Sequence, residues 1–401
     1  MKNLLTLVFL LLPFAASAQK VLKPVNAALK SKDGAKALTL IAKLETDSVA
    51  KRLPRLYDMG KEANVIINDA ENEKAYLKQA YDTTKFFSSI LGIYAYIEKC
   101  EALEQKLLAE EGQKMKYHKA NAQLVRTYYH NLNAGARFFY AKGQYATALP
   151  YFRTYLDAPS TALWGTNRDV QRTTTYIINA HLYQKCALLS KNYSEVGRYA
   201  DVVLADTSRL RLYTLQYLAL ARLAEADTAK YAALLEQGVK EYPSDQFFFT
   251  HLVDQYASAH RFTDIVSLSD ARLAADTSDV VALEAKSLAL INLERNEEAI
   301  ATAQRCLAAD TSKVEVNYYI GAAYCNLALS MKLPTNAASR AYREAMKKRK
   351  SYYAAARPYL ERYRQQRPDE KKKWAPLLYN VYFTLNEGKR FEEISRLLAE
   401  P

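Results

Sequence analysis

Few side chains in this sequence have the types and spacing that catalysis or metal binding requires. The histidines show no His-Glu-x-x-His pattern and the cysteines no Cys-x-x-Cys pattern, so we expect no zinc site. The sequence also lacks the Gly-x-Ser-x-Gly turn of serine hydrolases and the Gly-rich loop that binds phosphates. Carboxylates are numerous but scattered, not paired as in glycoside hydrolysis. We therefore expect no catalytic residues, no metal and no cofactor. The histidines are His118, His130, His181, His251 and His260.

Aspartates recur in the phrase Ala-Asp-Thr-Ser, at 205–208, 275–278 and 309–312. The step from Pro243 to Thr277 equals the step from Thr277 to Thr311, and each matches a repeat length of about 34 residues. A calcium cage needs several acidic ligands in one short loop, and each phrase offers one. We interpret the phrases as turns between helices. Ser312 and Glu315 have the spacing of a capping box for the helix that follows.

The four cysteines, Cys100, Cys186, Cys306 and Cys325, each lie within an apolar pattern of helical period. We interpret them mainly as small core residues. An even number of cysteines also permits disulfides in an exported protein. Cys306 and Cys325 fall on successive predicted helices, so a bridge between these two stays open as an alternative.

The elements that position these side chains are predicted to be helices throughout. Only 11 Gly and 11 Pro occur in 401 residues, among many Ala, Leu, Lys and Glu. Such a composition favours helices, and no alternation of β-branched residues is long enough to indicate a sheet. The sequence therefore predicts an all-α protein.

The clearest repeated unit runs from Tyr129 to Pro159. Gly143 ends its first helix, because glycine adopts the left-handed cap conformation without strain. Pro159 ends its second helix, because proline cannot continue one comfortably. The other marks lie at helical spacing: Ala136, Phe139, Tyr145, Ala148, Phe152 and Leu156. This pattern and the length of the period resemble the tetratricopeptide repeat.

The resemblance covers about 270 residues and implies a right-handed superhelical solenoid of helix pairs. It divides the chain into an N-terminal helical region without repeats, 19–128, and a repeat array, 129–401. The array would hold about six or seven units, some of them degenerate, with an insertion near 329–353. The layout is also similar to exported repeat proteins of Gram-negative bacteria.

In the tetratricopeptide family, side chains of the first helix of each unit line a concave groove that binds a protein or peptide. Transferred to this sequence, the groove positions are His130, Asn133, Arg137, Tyr140, Tyr213, Gln216, Tyr318 and Asn326. Such polar and aromatic side chains suit a peptide backbone or a carboxylate. The resemblance thus implies a non-catalytic scaffold or adaptor for a protein or peptide partner.

The chain is basic, with a formal net charge of +13, and two runs near the C-terminus contribute much of the excess. These are Lys347–Lys350 and Lys371–Lys373. Basic runs attract acidic partners or lipid head groups, although solvated helix faces are the simpler interpretation.

The segment 1–18 has the three parts of a secretory signal peptide. Lys2 supplies the basic start, an apolar stretch follows, and Ala16-Ser17-Ala18 has small residues at the cleavage positions. We expect cleavage after Ala18 and export to the periplasm or the extracellular space, where nucleic acid is not an expected partner. No later stretch is long and apolar enough to span a membrane.

A second functional hypothesis is glycan binding at the cell envelope. The sequence has 31 Tyr, which could supply stacking platforms, but only two Trp. This hypothesis requires the aromatic side chains to cluster on one exposed surface, whereas a protein scaffold does not.

Overall fold

The computed structural model describes residues 20–399, and every regular element in that range is helical. The predicted all-α class is confirmed. The predicted signal peptide, 1–18, lies outside the described residues. By internal packing the chain divides into a first compact unit that ends at Thr228 and a second that begins at Ala229.

The first unit contains nine α-helices, counted within the described residues. Their bounds are α1 20–30, α2 Gly34–Leu44, α3 Pro54–Tyr76, α4 Thr83–Glu111, α5 His118–Ala141, α6 Tyr145–Asp157, α7 Thr174–Leu189, α8 Ala200–Leu204 and α9 Leu210–Ala224. Short 3-10 turns lie between them at Ala50–Arg52, Ala158–Ser160, Ala162–Trp164, Asp169–Arg172 and Tyr193–Glu195. Helices α3 and α4, α5 and α6, and α6 and α7 pack on one another, although the connection between α6 and α7 spans 158–173.

In the second unit the first six helices follow the predicted period. The bounds are α10 Thr228–Glu241, α11 Gln246–Ser258, α12 Phe262–Ala275, α13 Val280–Asn292, α14 Asn296–Ala309, α15 Val314–Ser330, α16 Arg340–Gln366, α17 Lys371–Leu385 and α18 Gly388–Ala399. Helices α11, α13 and α15 begin at 246, 280 and 314, and α10, α12 and α14 begin at 228, 262 and 296. Both series advance by the same step, so the period found in the sequence is the length of one helix pair.

The boundary between 128 and 129 stays a prediction, but both of its sides are made of helix pairs. Helix α5 runs continuously across that position, and α3 packs against α4. The segment near 329–353 is largely helical as well: 331–339 connect α15 to α16, which has already begun at Arg340. Part of its extra length therefore lies in the first turns of α16, and the insertion near 329–353 stays a prediction.

The turns of the best unit follow the predicted chemistry. Gly143 has φ +70 just after α5, and α6 ends before Pro159. Ala148, Phe152 and Leu156 are buried on one face of α6. That face packs on α5, where Tyr151 and Phe139 place their ring centroids 5.2 Å apart.

The three Ala-Asp-Thr-Ser phrases are turns, as predicted. In each one the aspartate carboxylate accepts a hydrogen bond from the backbone N–H of the serine that follows the threonine, which is an Asx turn. The serine hydroxyl also donates to the same carboxylate, and this hydrogen bond, with the backbone one beside it, holds the pKa of all three aspartates below its usual range. The backbone pairs are Asp206–Ser208 at 3.2 Å, Asp276–Ser278 at 2.9 Å and Asp310–Ser312 at 2.9 Å.

The predicted capping box at Ser312 is wrong. The Ser312 hydroxyl donates to Asp310, and α15 begins after Lys313 without a side-chain cap. Glu315 instead reaches the Tyr363 hydroxyl at 3.1 Å and Arg367 at 3.3 Å. The contacts of Glu315 with Tyr363 on α16 and with Arg367 just after it therefore take the place of the hydrogen bond that a capping box would form.

All four cysteines are buried as free thiols, which confirms their interpretation as core residues. The Cys306–Cys325 bridge is not formed. Cys306 belongs to the apolar cluster built by α11–α15, where its thiol lies 3.6 Å from the carbonyl oxygen of Val280. Cys325 belongs to a separate cluster built by α15–α18.

A buried polar network joins α3, α4 and α5. The Lys61 ammonium donates to Asp58 at 2.5 Å and to the Asn121 amide oxygen at 2.8 Å. The Asn121 amide donates to Glu101 at 2.7 Å, and Glu101 lies 2.6 Å from His118. Buried charges are stable only when they are paired, so these partners fix the register of three helices.

Replacing Lys61 by Met should therefore destabilise the protein by about 3 kcal/mol, because it removes the buried cation that donates to Asp58 and to the Asn121 oxygen and leaves Asp58 paired only with the more exposed Arg55. Urea unfolding measures the change. The double variant Asp58→Leu/Lys61→Met should recover part of the loss. If Lys61→Met costs no more than substitution of the exposed Lys36, the network does not contribute as described.

Gly321 on α15 is a point of close approach. A Cβ atom there would lie 2.5 Å from Cγ of Leu360 on α16, and Leu360 is fully buried. Ala would gain about 1 kcal/mol of helix propensity. Overpacking typically costs about 1–3 kcal/mol.

We expect Gly321→Ala to be net destabilising by about 1 kcal/mol in thermal unfolding, because the steric cost exceeds the gain in propensity. Gly388→Ala is the matched control, since a Cβ there meets nothing within 4 Å. Equal effects of the two substitutions would contradict the close approach.

Candidate functional site

The predicted site residues lie on three helices. His130, Asn133, Arg137 and Tyr140 share one side of α5, where a helical spacing of three or four aligns them. Tyr213 and Gln216 lie on α9, and Tyr318 and Asn326 lie on α15. The first two groups belong to the first unit and the third to the second unit.

Arg137 is held in place by two amides. Its Nε donates to the Asn133 side-chain oxygen at 2.9 Å, and a terminal nitrogen donates to the Asn179 oxygen on α7 at 3.1 Å. The Asn179 amide in turn donates to Asn133 at 2.9 Å. This triangle links α5 to α7 and orients an exposed guanidinium. Arg137 is a fork-shaped donor suited to a carboxylate.

Aromatic side chains continue the same surface onto α9. The Lys185 ammonium on α7 lies 5.8 Å from the ring centroid of Tyr140. Burial raises the pKa of Tyr217, and the hydrogen bond with Tyr140 raises the pKa of Lys185. His181 stacks on Tyr217 with ring centroids 5.3 Å apart, and Tyr213 lies 6.1 Å from the same imidazole. Tyr213 is 38% exposed.

We call this set the α5–α7–α9 surface. It consists of Asn133, Arg137, Tyr140, Asn179, His181, Lys185, Tyr213 and Tyr217. Across residues 20–399, neither Arg137 nor Lys185 makes an ion pair with a carboxylate. The surface therefore presents two uncompensated positive charges beside half-exposed tyrosines. Such a surface attracts acidic groups and offers aromatic contact to apolar ones.

A buried hydrogen bond joins two of the helices that carry the surface. The Thr214 hydroxyl on α9 donates to the Gln184 side-chain oxygen on α7 at 2.8 Å, and both residues are fully buried. His130 is exposed at the near end of the surface, with its ring 5.8 Å from Tyr129. Gln216 shares α9 with Tyr213 and is partly buried.

Tyr318 and Asn326 have packing partners of their own in the second unit. Tyr318 lies 5.3 Å from the Tyr363 ring and 5.9 Å from the Lys373 ammonium. The Asn326 amide donates to the Asn296 oxygen at 3.2 Å. Both residues lie in the second unit, so we restrict the candidate site to the first unit, which holds the other predicted residues.

Four members of the surface were missed by sequence reasoning: Asn179, His181, Lys185 and Tyr217. The first three lie on α7, which follows a long connection and carries no clear repeat marks. Tyr217 lies one helical turn after Tyr213, and that spacing was the available signal.

A separate cleft of about 700 Å³ lies between α4 and α6. Its lining is largely apolar, with Leu91, Tyr94 and Ile97 from α4. Two of its carboxylates already have partners. Glu101 binds His118 and Asn121, as described above, and Asp157 accepts from the Tyr199 hydroxyl at 2.7 Å. These contacts orient the two carboxylates within the fold.

The tyrosines do not form the exposed surface that glycan binding requires. Of the 31 Tyr, all in described positions, only Tyr76, Tyr81 and Tyr213 are exposed. The others are at least partly buried, and ten of them are buried in the core. Most tyrosines in this chain therefore pack helices together.

No group of three or more His, Cys, Asp or Glu side chains within 20–399 is placed to hold a metal ion. In the same range no helix has the length and apolarity needed to cross a bilayer.

Comparisons with known proteins give distant structural matches. No family model and no curated protein matches the chain. A MamA structure matches with 16% identity and a TM-score of 0.33, covering 47% of this chain and 90% of that one. A tetratricopeptide repeat protein from Parabacteroides merdae matches with 10% identity and a TM-score of 0.26, covering 77% and 99%.

The TPR2AB domain of yeast Sti1 matches with 12% identity and a TM-score of 0.24, covering 65% of this chain and 99% of that one. At such identities and TM-scores, neither fold nor function is transferred from these proteins. The helical-repeat architecture is assigned from the helix pairs of this chain.

The pKa of His181 is lowered from 6.5 to about 4, chiefly because burial disfavours the imidazolium, with added repulsion from Lys185. Between pH 6.5 and pH 4 the unfolded chain therefore binds the proton and the folded protein does not. Stability is lost as the pH falls through this window, by about 2 kcal/mol between about pH 7 and pH 5.

His181→Phe should abolish this part of the pH dependence while keeping the ring that stacks on Tyr217. Urea unfolding of both proteins at the two pH values gives the difference. The exposed His130→Phe is the control and should lose stability as the wild type does. If wild type and His181→Phe lose equal stability, the imidazole does not account for the effect.

Proposed function

We propose that this chain is a non-catalytic, exported scaffold of the tetratricopeptide type that binds a protein or peptide segment on the α5–α7–α9 surface. The observation that supports the proposal is the pair of uncompensated cations, Arg137 and Lys185, beside half-exposed tyrosines. These groups come from α5, α7 and α9, three alternate helices of one unit.

The geometry favours an extended peptide with acidic and apolar side chains. Arg137 is pre-oriented by Asn133 and Asn179, so little conformational freedom is lost when it binds a carboxylate. Tyr140, Tyr213 and Tyr217 offer aromatic contact at low entropy cost together with hydroxyl groups that can hydrogen-bond a peptide backbone. Interfaces are enriched in Tyr and Arg for these reasons.

Export is the second part of the proposal. It is supported by the basic start, apolar stretch and small residues of positions 1–18. The partner is then a protein of the periplasm or the extracellular space.

Site-specific photocrosslinking in intact cells tests the proposal most directly. A photoreactive residue in place of Tyr213, the most exposed tyrosine of the surface, should yield one dominant crosslinked protein identified by mass spectrometry. The same residue in place of Thr147, exposed on α6, is the control and should not. Only diffuse crosslinks from both positions would contradict a protein partner at this surface.

The variant Arg137→Ala/Lys185→Ala should weaken capture of that partner by at least about tenfold, because it removes both uncompensated charges. A matched variant, Lys114→Ala/Lys119→Ala, removes two exposed cations of the same unit and should bind as the wild type does. Equal losses in the two variants would show that net charge, and not this surface, attracts the partner.

A further inference from the structure

The first three turns of α16, Arg340–Lys350, contribute nothing to the core. None of their side chains is buried, and the buried positions of the helix begin at Tyr353. Helix α16 has 27 residues and its partner α15 has 17. The first turns of α16 therefore lie outside the part of the helix that packs in the core.

Four cations form a stripe along this segment: Arg340, Arg343, Lys347 and Lys350. Their helical spacing of three, four and three places them on one helix face over about 15 Å. All four are exposed, and within the described part of the chain none makes an ion pair. The segment has six cations and a single acid, Glu344.

This arrangement is unfavourable for the isolated helix. Like charges one helical turn apart repel one another, and cations near a helix N-terminus oppose the helix dipole. Two other basic side chains of this region have partners. Arg349 donates to the carbonyl oxygens of Ala328 and Met331, and Lys373 pairs with Glu315 at 3.5 Å. The stripe lacks such partners among the described residues, so an external anion would relieve its repulsion.

A shallow hollow of about 340 Å³ lies beside the stripe. Three of the cations line it together with Ala337, Tyr342 and Met346. The hollow is large enough for one apolar side chain, and cationic side chains form part of its lining. A ligand that matches it combines several carboxylates with an apolar group.

We propose that the stripe and its hollow are a docking surface for an acidic protein segment that inserts one apolar side chain beside Met346. A membrane would require large apolar side chains standing out from the helix, whereas Tyr342 and Met346 are partly buried. A nucleic acid backbone offers phosphates but makes no use of an apolar hollow. This surface lies in the second unit and is independent of the α5–α7–α9 surface.

Fluorescence anisotropy with a labelled glutamate-rich peptide that contains one phenylalanine tests the proposal on the whole chain. The variant Arg340→Gln/Arg343→Gln/Lys347→Gln/Lys350→Gln should bind at least about tenfold more weakly. Wild-type binding should also weaken steeply with added salt, because exposed charges are screened. A peptide with glutamine in place of glutamate should not bind.

The control variant removes the same amount of charge at exposed sites of the first unit, as Lys30→Gln/Lys36→Gln/Lys114→Gln/Lys119→Gln, and should bind normally. Amide hydrogen exchange in α16 should be unchanged or slower in the stripe variant, since repulsion is relieved. If that variant does not fold, Arg343→Gln/Lys350→Gln takes its place.

Equal binding by the stripe and control variants overturns the proposal. So does tighter binding of the wild type to anionic phospholipid vesicles or to a single-stranded oligonucleotide than to the peptide. Because Arg137 and Lys185 are untouched in every variant, failure here leaves the function proposed above unaffected.

Discussion

Among the residues that the structure describes, no helix pair buries its apolar face alone. In the first unit one core cluster is built by α1–α3, and a second runs without interruption from Phe87 on α4 to Ala221 on α9, so each helix in between packs on both neighbours. In the second unit one cluster extends from Phe249 to Ala323 and another from Cys325 to Ile394. Stability in such an array is approximately a sum of pair stabilities and nearest-neighbour interfaces. A local defect therefore weakens its own interface and the next one.

Tandem packing also determines where polar side chains can be placed. Each helix uses one face for its pair and another for its neighbours, and the remaining face is available for other contacts. On α5 that face holds Asn133 and Arg137, which the amide of Asn179 on α7 fixes in place. On the first part of α16 no neighbour covers the outward face, and the sequence there is cationic.

Local features of the fold were predictable from the sequence. Gly143 marks a helix end by its conformational freedom, and each Asp-Thr-Ser phrase forms a turn through hydrogen bonds between its own first and last residues. The repeat period likewise depends only on helix and turn lengths. The burial of the four cysteines follows from apolar periodicity. In each case the interacting atoms lie within a short segment or one helix pair.

Contacts between distant residues were not predictable. Lys61 and Asn121 are 60 residues apart, and no spacing rule pairs them. Asn179 joins Arg137 across 42 residues. Ser312 shows the converse, because its spacing to Glu315 matches a capping box but Glu315 instead contacts Tyr363 and Arg367. The run Lys347–Lys350 is identified in the sequence by its density of cations. The stripe that adds Arg340 and Arg343 can be identified only once the start of α16 is known.

The burial of the cysteines has a consequence for the redox behaviour of the chain. Burial raises the pKa of the Cys100, Cys186 and Cys325 thiols to about 12 and that of Cys306 to about 11. The thiolate is the species that attacks disulfides and oxidants, and at neutral pH almost none is present in the folded protein. The folded protein therefore offers little cysteine thiolate to an oxidant in an oxidising or a reducing compartment. Unfolding removes the burial that raises these pKa values, so cysteine oxidation is expected chiefly in molecules that have unfolded.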